Sequence, residues 1–260
     1  MTKLRLLLLF VLSLFIFCGC GINKKETNIY KQILDRDNIR IGVKHDSKPF
    51  GYINENGDLV GVDIDIAKEL TKRLLGDKSK VTFVEVSPSS RIKAITSGEV
   101  DIVIATMTVT PQRKLIVDFS EPYYTAGQAF VVHKNSKINS FHDLNKKDVA
   151  VVLATTSERN LRQSAPLARV HGFKTYKDAF DSMINGETDA VTADDSILLG
   201  FVMDCPDYKI IPKKLTNEPY AIAFKKSEDA ASLKNNINQI LTSMKEDGFI
   251  NKTKRKWNLK

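Results

Sequence analysis

Lys44, Arg91, Arg113 and Asp194 are charged residues whose neighbours could gather them in one place. Each comes at or just past a short apolar run: Ile41-Gly42-Val43, Val81 to Val86, Ile102 to Ala105, and Ala190 to Ala193. Such runs read as buried strands, and in open α/β sheets ligands bind beyond the carboxyl ends of strands. A guanidinium presents a rigid fork that takes a carboxylate at two points. A carboxylate at the end of a buried strand can take an ammonium. Together these groups suit the capture of a small zwitterion, with Arg113 on its carboxylate and Asp194 on its ammonium. Inside a closed cleft every charge needs a partner, because unpaired charges there are costly. Each residue also has a plainer reading. The Arg113 stretch fits a strand followed by a polar surface loop. Lys44 fits a solvated lysine, and Asp194 fits an N-cap, a role open to Asp195 as well.

Hydroxyls and aromatics complete the candidate set. Thr106 and Thr108 follow the Ile102 strand and offer hydroxyl and backbone groups. Thr155 and Thr156 stand at an expected helix start, where free N–H groups favour an anion. Capping or sheet packing would explain each threonine equally well. Phe50 and Tyr220 are candidate pocket walls, with Tyr123 and Tyr124 beside them. Arg91 stands at a helix N-terminus, where a cation opposes the dipole, so it needs another reason to be there. Three cations against one acid would be compensated by a ligand with two carboxylates and one ammonium. On that count the expected ligand is glutamate or aspartate, with glutamine or another polar amino acid as the alternative. His45 has no partner histidine at ligand spacing, so no metal is expected, and binding of this kind needs no cofactor.

The elements that must position these residues alternate. Ile39 to Val43, Val81 to Val86 and Ile102 to Ala105 are expected strands. Between them lie helices from Gly61 to Leu75, with Val62, Ile66, Ala67, Leu70 and Leu74 on one face, and after Ser89 or Ser90, ended by Gly98. That rhythm implies a parallel sheet with right-handed crossovers. It repeats from Val149 to Leu153, through helices after Thr155 and over Tyr176 to Asn185, to the strands Ala190 to Ala193 and Tyr208 to Ile211. Pro212 to Pro219 then reads as a crossing back to a strand at Tyr220 to Phe224. Last comes a helix with Leu233, Ile237, Ile240, Leu241 and Met244 on one face. The expectation is an α/β protein of two lobes and two hinge crossings, with the ligand cleft between them. Residues 38–130 and 217–260 would form lobe 1, and 131–216 lobe 2.

Thr106-Met107-Thr108-Val109-Thr110-Pro111-Gln112-Arg113-Lys114, followed by Asp118-Phe119-Ser120-Glu121-Pro122-Tyr123-Tyr124, resembles the signature of the extracellular polar amino-acid-binding proteins. These are the solute receptors of ABC importers, solute-binding family 3, of glutamate, aspartate or glutamine type. The likeness runs from near Ile39 to Trp257. It implies the two-lobed type II periplasmic-binding fold, a monomer, and delivery to ABC permease subunits. It points to Arg113 and, in the second lobe, to Thr155 and Thr156 for the ligand carboxylate, and to Asp194 for the amine. Some relatives carry lysine where this chain has Asp195. In the family, glutamine-selective members are acidic at the position resembling Lys44. Members taking glutamate or aspartate have lysine there and arginine at the position of Arg91. Relatives with this lysine can still accept glutamine. The glutamine type stacks an aromatic where this chain has Ser47.

The N-terminus carries its own signal. Lys3 and Arg5 precede an apolar run from Leu6 to Phe17, too short for a comfortable membrane span and suited to a secretion signal over residues 1–19. Phe17-Cys18-Gly19-Cys20 resembles a lipoprotein processing box with imperfect first positions. Cys20 is therefore the expected lipidated residue on the extracytoplasmic face of the cell membrane, and 20–37 the tether. The mature chain would keep Cys20 and Cys205, which allows no disulfide framework. Of the 260 residues 27% are charged, and the net charge is +8. Arginine-rich helices and aromatic-studded basic strands are missing, so nucleic acid is not an expected partner. A dehydratase is the remaining rival, because cyclohexadienyl dehydratases resemble these receptors. It would need a positioned acid or base in the cleft, and no nucleophile–base pair stands out, so an enzyme is not expected.

Overall fold

The computed structural model describes residues 28–211 and 214–259. The expected leader, Cys20 and the rest of the tether up to residue 27 lie outside the described residues, as do Pro212 and Lys213 of the expected second crossing.

Lobe 1 opens with α1 (Ile29–Arg36), capped by Asn28, whose side chain accepts from Lys31 N. β1 (Ile39–Val43) follows, then a small sheet of β2 (Asp46–Ser47), β3 (Gly51–Ile53) and β4 (Leu59–Val60). Next come α2 (Val62–Leu75), β5 (Val81–Glu85), α3 (Arg91–Ser97) and β6 (Ile102–Val103). Acids in the first turn of α2 favour its dipole, and Gly76 ends it at φ 80°. The short α4 (Pro111–Lys114) starts on a Thr110 cap, and β7 (Val117–Phe119) follows it. The strand order of the lobe 1 sheet is β5-β1-β6-β15-β7, where β15 (Ala223–Lys225) returns from the far end of the chain. Strands β5, β1 and β6 are parallel, while β15 runs antiparallel to both neighbours.

β8 (Tyr124–Ala126) leads out of lobe 1 and pairs antiparallel with β14 (Glu218–Tyr220), which leads back. These two strands are the hinge. Lobe 2 takes up the chain at Gln128, rather than at the expected residue 131, with β9 (Gln128–His133). There follow β10 (Asp148–Val152), α5 (Thr156–Ser164), β11 (Arg169–Phe173), α6 (Tyr176–Ile184), β12 (Ala190–Asp194), α7 (Asp195–Asp204) and β13 (Tyr208–Ile211). The order β11-β10-β12-β9-β13 repeats the plan of lobe 1, with three parallel strands, a reversed fourth and a fifth that runs with the first three. β11 was not expected. Its residues Arg169, His171 and Gly172 are exposed on the sheet edge, so it lacks the apolar run that marks its neighbours.

Every residue of β12 is buried, as a strand covered by helices on both faces requires. α8 (Ala231–Glu246) turns Leu233, Ile237, Leu241 and Met244 into the lobe 1 core at helical spacing. Each such side chain contributes about 1.5–3 kcal/mol on burial. The chain closes with α9 (Phe249–Lys256) and Trp257, whose indole N–H donates to Asp65 and whose ring meets Tyr52 edge-on at 6.0 Å. One apolar cluster runs from α1 and α2 through Tyr123, Ala126 and Tyr220 into lobe 2. The hinge is therefore packed, not a bare linker.

Candidate functional site

Strands β1 and β6 of lobe 1 and β10 and β12 of lobe 2 end at one small, nearly filled cleft between the lobes. Lobe 1 contributes Lys44, Arg91, Thr106, Thr108 and Arg113, and lobe 2 contributes Thr155, Thr156 and Asp194. Tyr176 and Ser157, which the sequence did not single out, complete the lining. Two other candidates stand elsewhere. Phe50 is fully buried, ring to ring with Tyr124 at 5.3 Å and Tyr220 at 5.4 Å, and is a core residue of the hinge, not a wall of the cleft. Tyr220 also stands behind the wall, but its hydroxyl donates to Asp194 Oδ2 at 2.5 Å.

Two non-glycine residues in the left-handed region shape the space. Thr106 has φ 45° and Ala154 has φ 61°, each just beyond the end of its strand. Such conformations cost on the order of 1–3 kcal/mol and persist only where neighbours enforce them. Thr106 N–H donates to Asp63 Oδ2 at 3.0 Å. Ala154 N–H donates to Glu158 Oε2, also at 3.0 Å. Their carbonyls turn towards arginines: Arg91 Nη1 donates to Ala105 O at 2.7 Å and Thr106 O at 3.5 Å, and Arg113 Nη2 reaches Ala154 O at 3.4 Å. Arg91 thus stands at the head of α3 against the dipole because it ties down the carbonyls that close strand β6. The second nitrogen of Arg113 donates to Thr108 O at 2.8 Å, which aims the guanidinium along the cleft.

Lys44 is 1% exposed, and its ammonium lies 4.4 Å from the centre of the Tyr176 ring across the cleft. Burial, opposed by Asp46 and reinforced by the nearby Arg91, lowers its pKa to about 8. Burial also lowers Arg91 to about 9, with Arg113 adding to the effect. Asp194 is pushed up to about 6 by burial, although the Tyr220 hydroxyl holds it down and Lys44 favours its charge. Its Oδ1 is buried with no hydrogen-bond partner among the described residues, as are Arg91 Nε and Thr106 Oγ1. These are the groups a polar ligand would satisfy.

Asp195 leaves Asp194 free. It pairs with Lys214 at 2.7 Å, and its Oδ1 accepts from Gly127 N and Ser196 N. It therefore fastens α7 to the hinge and does not face the cleft. Thr155 caps α5, accepting from Glu158 N and donating to Val152 O, so its hydroxyl is already engaged. Thr156, at the first turn of the same helix, is buried against the cleft. Among the described residues no group of three His, Cys, Asp or Glu is disposed to hold a metal.

Two further carboxylates stand behind these walls. Asp63 is fully buried, takes the Tyr123 hydroxyl at 2.7 Å and the Thr106 N–H, and lies close enough to Lys44 and Arg91 to feel both charges. Glu218 is 4% exposed in hinge strand β14 and favours the charged form of Arg113. Neither follows an apolar run that points at the cleft: in the sequence Glu218 stands out only by elimination, as a candidate acid or base beside Glu121, and Asp63 not at all.

Contacts across the cleft mouth hold the lobes together. Lys48 pairs with Asp204 at 2.7 Å, Tyr176 N–H donates to Asp46 Oδ2 at 3.1 Å, and Arg159 reaches Gln112 at 3.3 Å. Gly200 of α7 packs so tightly on Lys48 that an added Cβ would come within 2.3 Å of the Lys48 carbonyl.

The model of the bacterial extracellular solute-binding proteins, family 3, matches residues 39–260. The ABC transporter glutamine-binding protein GlnH of Bacillus subtilis (strain 168) is 41% identical over 98% of this chain and 96% of its own length. The glutamine-binding protein of Geobacillus stearothermophilus is 39% identical over 84% of this chain and 90% of its own. Among solved structures, an ancestral arginine-binding protein bound to glutamine superposes with a TM-score of 0.80 at 41% identity, covering 85% of this chain and 97% of that one.

Proposed function

This chain belongs to the bacterial extracellular solute-binding proteins of family 3, and from that premise we propose that it captures glutamine between its lobes and delivers it to an ABC permease. Proteins of this family bind small amino acids and hand them to such permeases. The observation that carries the choice of ligand is the balance of buried charge. Lys44, Arg91, Arg113 and the neighbouring Arg159 are offset by Asp46, Asp63, Asp194 and Glu218. Asp63 and Asp194, both near 6, are ionised at neutral pH. A cleft balanced in this way favours a zwitterion with an uncharged polar side chain, because a second ligand carboxylate would enter low-dielectric space without a free cation. The count of three cations against Asp194 alone, which pointed to glutamate or aspartate, omitted Asp63 and Glu218.

In this arrangement Arg113, the Thr108 hydroxyl and the N-terminal amides of α5 take the ligand carboxylate. Asp194 Oδ1 takes the ammonium, and Lys44 and Tyr176 flank the side chain. The names of the two glutamine-binding relatives support the same choice. The buried acids are tied to phenols and amides, Asp194 to Tyr220 and Asp63 to Tyr123 and Thr106, an arrangement suited to holding a ligand and not to turning one over. Attachment through a lipidated Cys20 belongs to the same proposal and is read by whether the protein sediments with membranes.

A second reading, glutamate or aspartate, is favoured by one observation: Lys44 sits near 8 and would regain its full charge beside a ligand carboxylate. Titration calorimetry separates the two. The glutamine reading expects a Kd for glutamine at least about tenfold below those for glutamate and aspartate, a gap of about 1.4 kcal/mol. Tighter binding of either dicarboxylate overturns it.

A further inference from the structure

We propose that Asp63, which does not line the cleft, determines the charge class of side chain the cleft accepts. The proposal rests on the reading of the protein as an amino-acid receptor with a glutamine preference. Asp63 stands at the start of α2, fully buried, directly behind the Thr106 wall. Both its oxygens are committed: Oδ1 to the Tyr123 hydroxyl at 2.7 Å and Oδ2 to the Thr106 N–H at 3.0 Å. It cannot turn to meet a ligand. Its position does two things at once. It holds Thr106 at φ 45°, which sends the carbonyl towards Arg91. It also places a fixed negative charge behind the Thr106 wall, within reach of Lys44 and Arg91, both of which line the cleft. A capping role would not account for this, because a cap residue precedes the first turn and its side chain binds that turn's own amides. Asp63 lies within the first turn and spends its oxygens on Tyr123 and Thr106, tens of residues away in sequence.

The consequence is specificity by charge at a distance. With Asp63 ionised, Lys44 and Arg91 are already compensated, and a dicarboxylate gains little from them while still losing its hydration. With that charge removed, Asp46 and Asp194 still act on Lys44 and Asp194 on Arg91, but the local balance shifts by one charge towards a ligand carboxylate.

Asp63→Asn keeps the side-chain shape and can keep both hydrogen bonds, with an amide N–H now donating to the Tyr123 oxygen. Calorimetry of the purified variant with glutamine and glutamate should show the ratio of the two Kd values moving at least about tenfold towards glutamate. Tyr123→Phe removes one hydrogen bond from Asp63 but no charge, and should leave that ratio within about twofold. A ratio unchanged in Asp63→Asn, with both ligands weakened equally, would mean that Asp63 only supports the fold and would overturn the proposal. Should Asp63→Asn fail to fold, Lys44→Gln/Asp63→Asn removes the charges as a pair. Its ratio should lie at least about tenfold nearer glutamate than that of Lys44→Gln alone, and equality of the two sinks the idea. The wild-type Kd values judge the glutamine reading separately. If wild type already prefers glutamate, that reading fails, while a further shift in Asp63→Asn would still establish the role of Asp63.

Discussion

A carboxylate at the end of a buried strand carries a consequence for stability. Asp194 is held near 6, against 3.8 for a free aspartate. The folded form therefore binds the proton more tightly than the unfolded chain. Its contribution to stability is full below about pH 4 and is lost as pH rises through 6. Asp194→Asn carries a neutral group at every pH. Its stability relative to wild type, from urea titrations without ligand, should rise by on the order of 2–3 kcal/mol between pH 4 and pH 7. A difference that stays flat over that range would remove the assignment of Asp194 as a desolvated, ionised group. Lys44 acts from the other side. Its folded value of about 8 lies below the free value of 10.5, so the cost of burying its charge is present below pH 8 and is relieved above it. A ligand ammonium on Asp194 should offset most of its cost at neutral pH, where receptors work.

At the scale of elements, the lobes meet closely backbone on backbone at Gly200. Gly200 lies inside α7, where alanine is the better helix former by about 0.5–1 kcal/mol. A Cβ there would meet the Lys48 carbonyl of the opposite lobe at 2.3 Å. Gly200→Ala should thus leave the ligand-free protein as stable or slightly more so, yet weaken ligand binding by more than about tenfold. Solution scattering should no longer show contraction on adding glutamine. Undiminished affinity would mean that closure does not need this contact. The elements were largely legible in the sequence, because parallel strands buried on both faces announce themselves as apolar runs, and their carboxyl ends then mark Lys44, Thr106, Arg113 and Asp194. Tyr176 carried no such mark: it begins a helix, and nothing local tells a helix start on the cleft from one on the surface. β9 reads as an apolar strand whichever sheet receives it, so the crossing could not be placed before the pairing of Asp194 with Gln128 was seen. Phe50 reads in sequence as a pocket wall as readily as a core residue, because aromatics serve both and three-dimensional packing alone decides between them.

For the whole molecule, opening and closing is a balance of small contacts across the cleft mouth. The Lys48–Asp204 pair is solvent-exposed, with 33% and 59% of the two side chains accessible. Pairs of this kind contribute about 0–1 kcal/mol and are screened by salt. Asp204→Asn should raise the Kd for glutamine by no more than about fivefold at low ionic strength, and the gap from wild type should vanish near 1 M salt. A loss that persists at high salt would mean that the pair does more than trim the closed state. Affinity in this receptor is then set in two places: the buried charges decide which amino acid is held, and the rim decides how firmly the lobes stay shut.

The placement of Trp257, the single tryptophan in the chain, bears on how any of this can be observed. Its indole is fastened to Asp65 and meets Tyr52 edge-on, and the Tyr52 ring lies 5.9 Å from the Lys48 ammonium that grips Asp204 of the other lobe. Native emission should therefore follow the melting of lobe 1 and also register the meeting of Lys48 with the other lobe. Cys205, half-exposed and next to the Asp204 that grips Lys48 from the other lobe, is where a thiol-reactive dye would brighten or dim as the jaws meet.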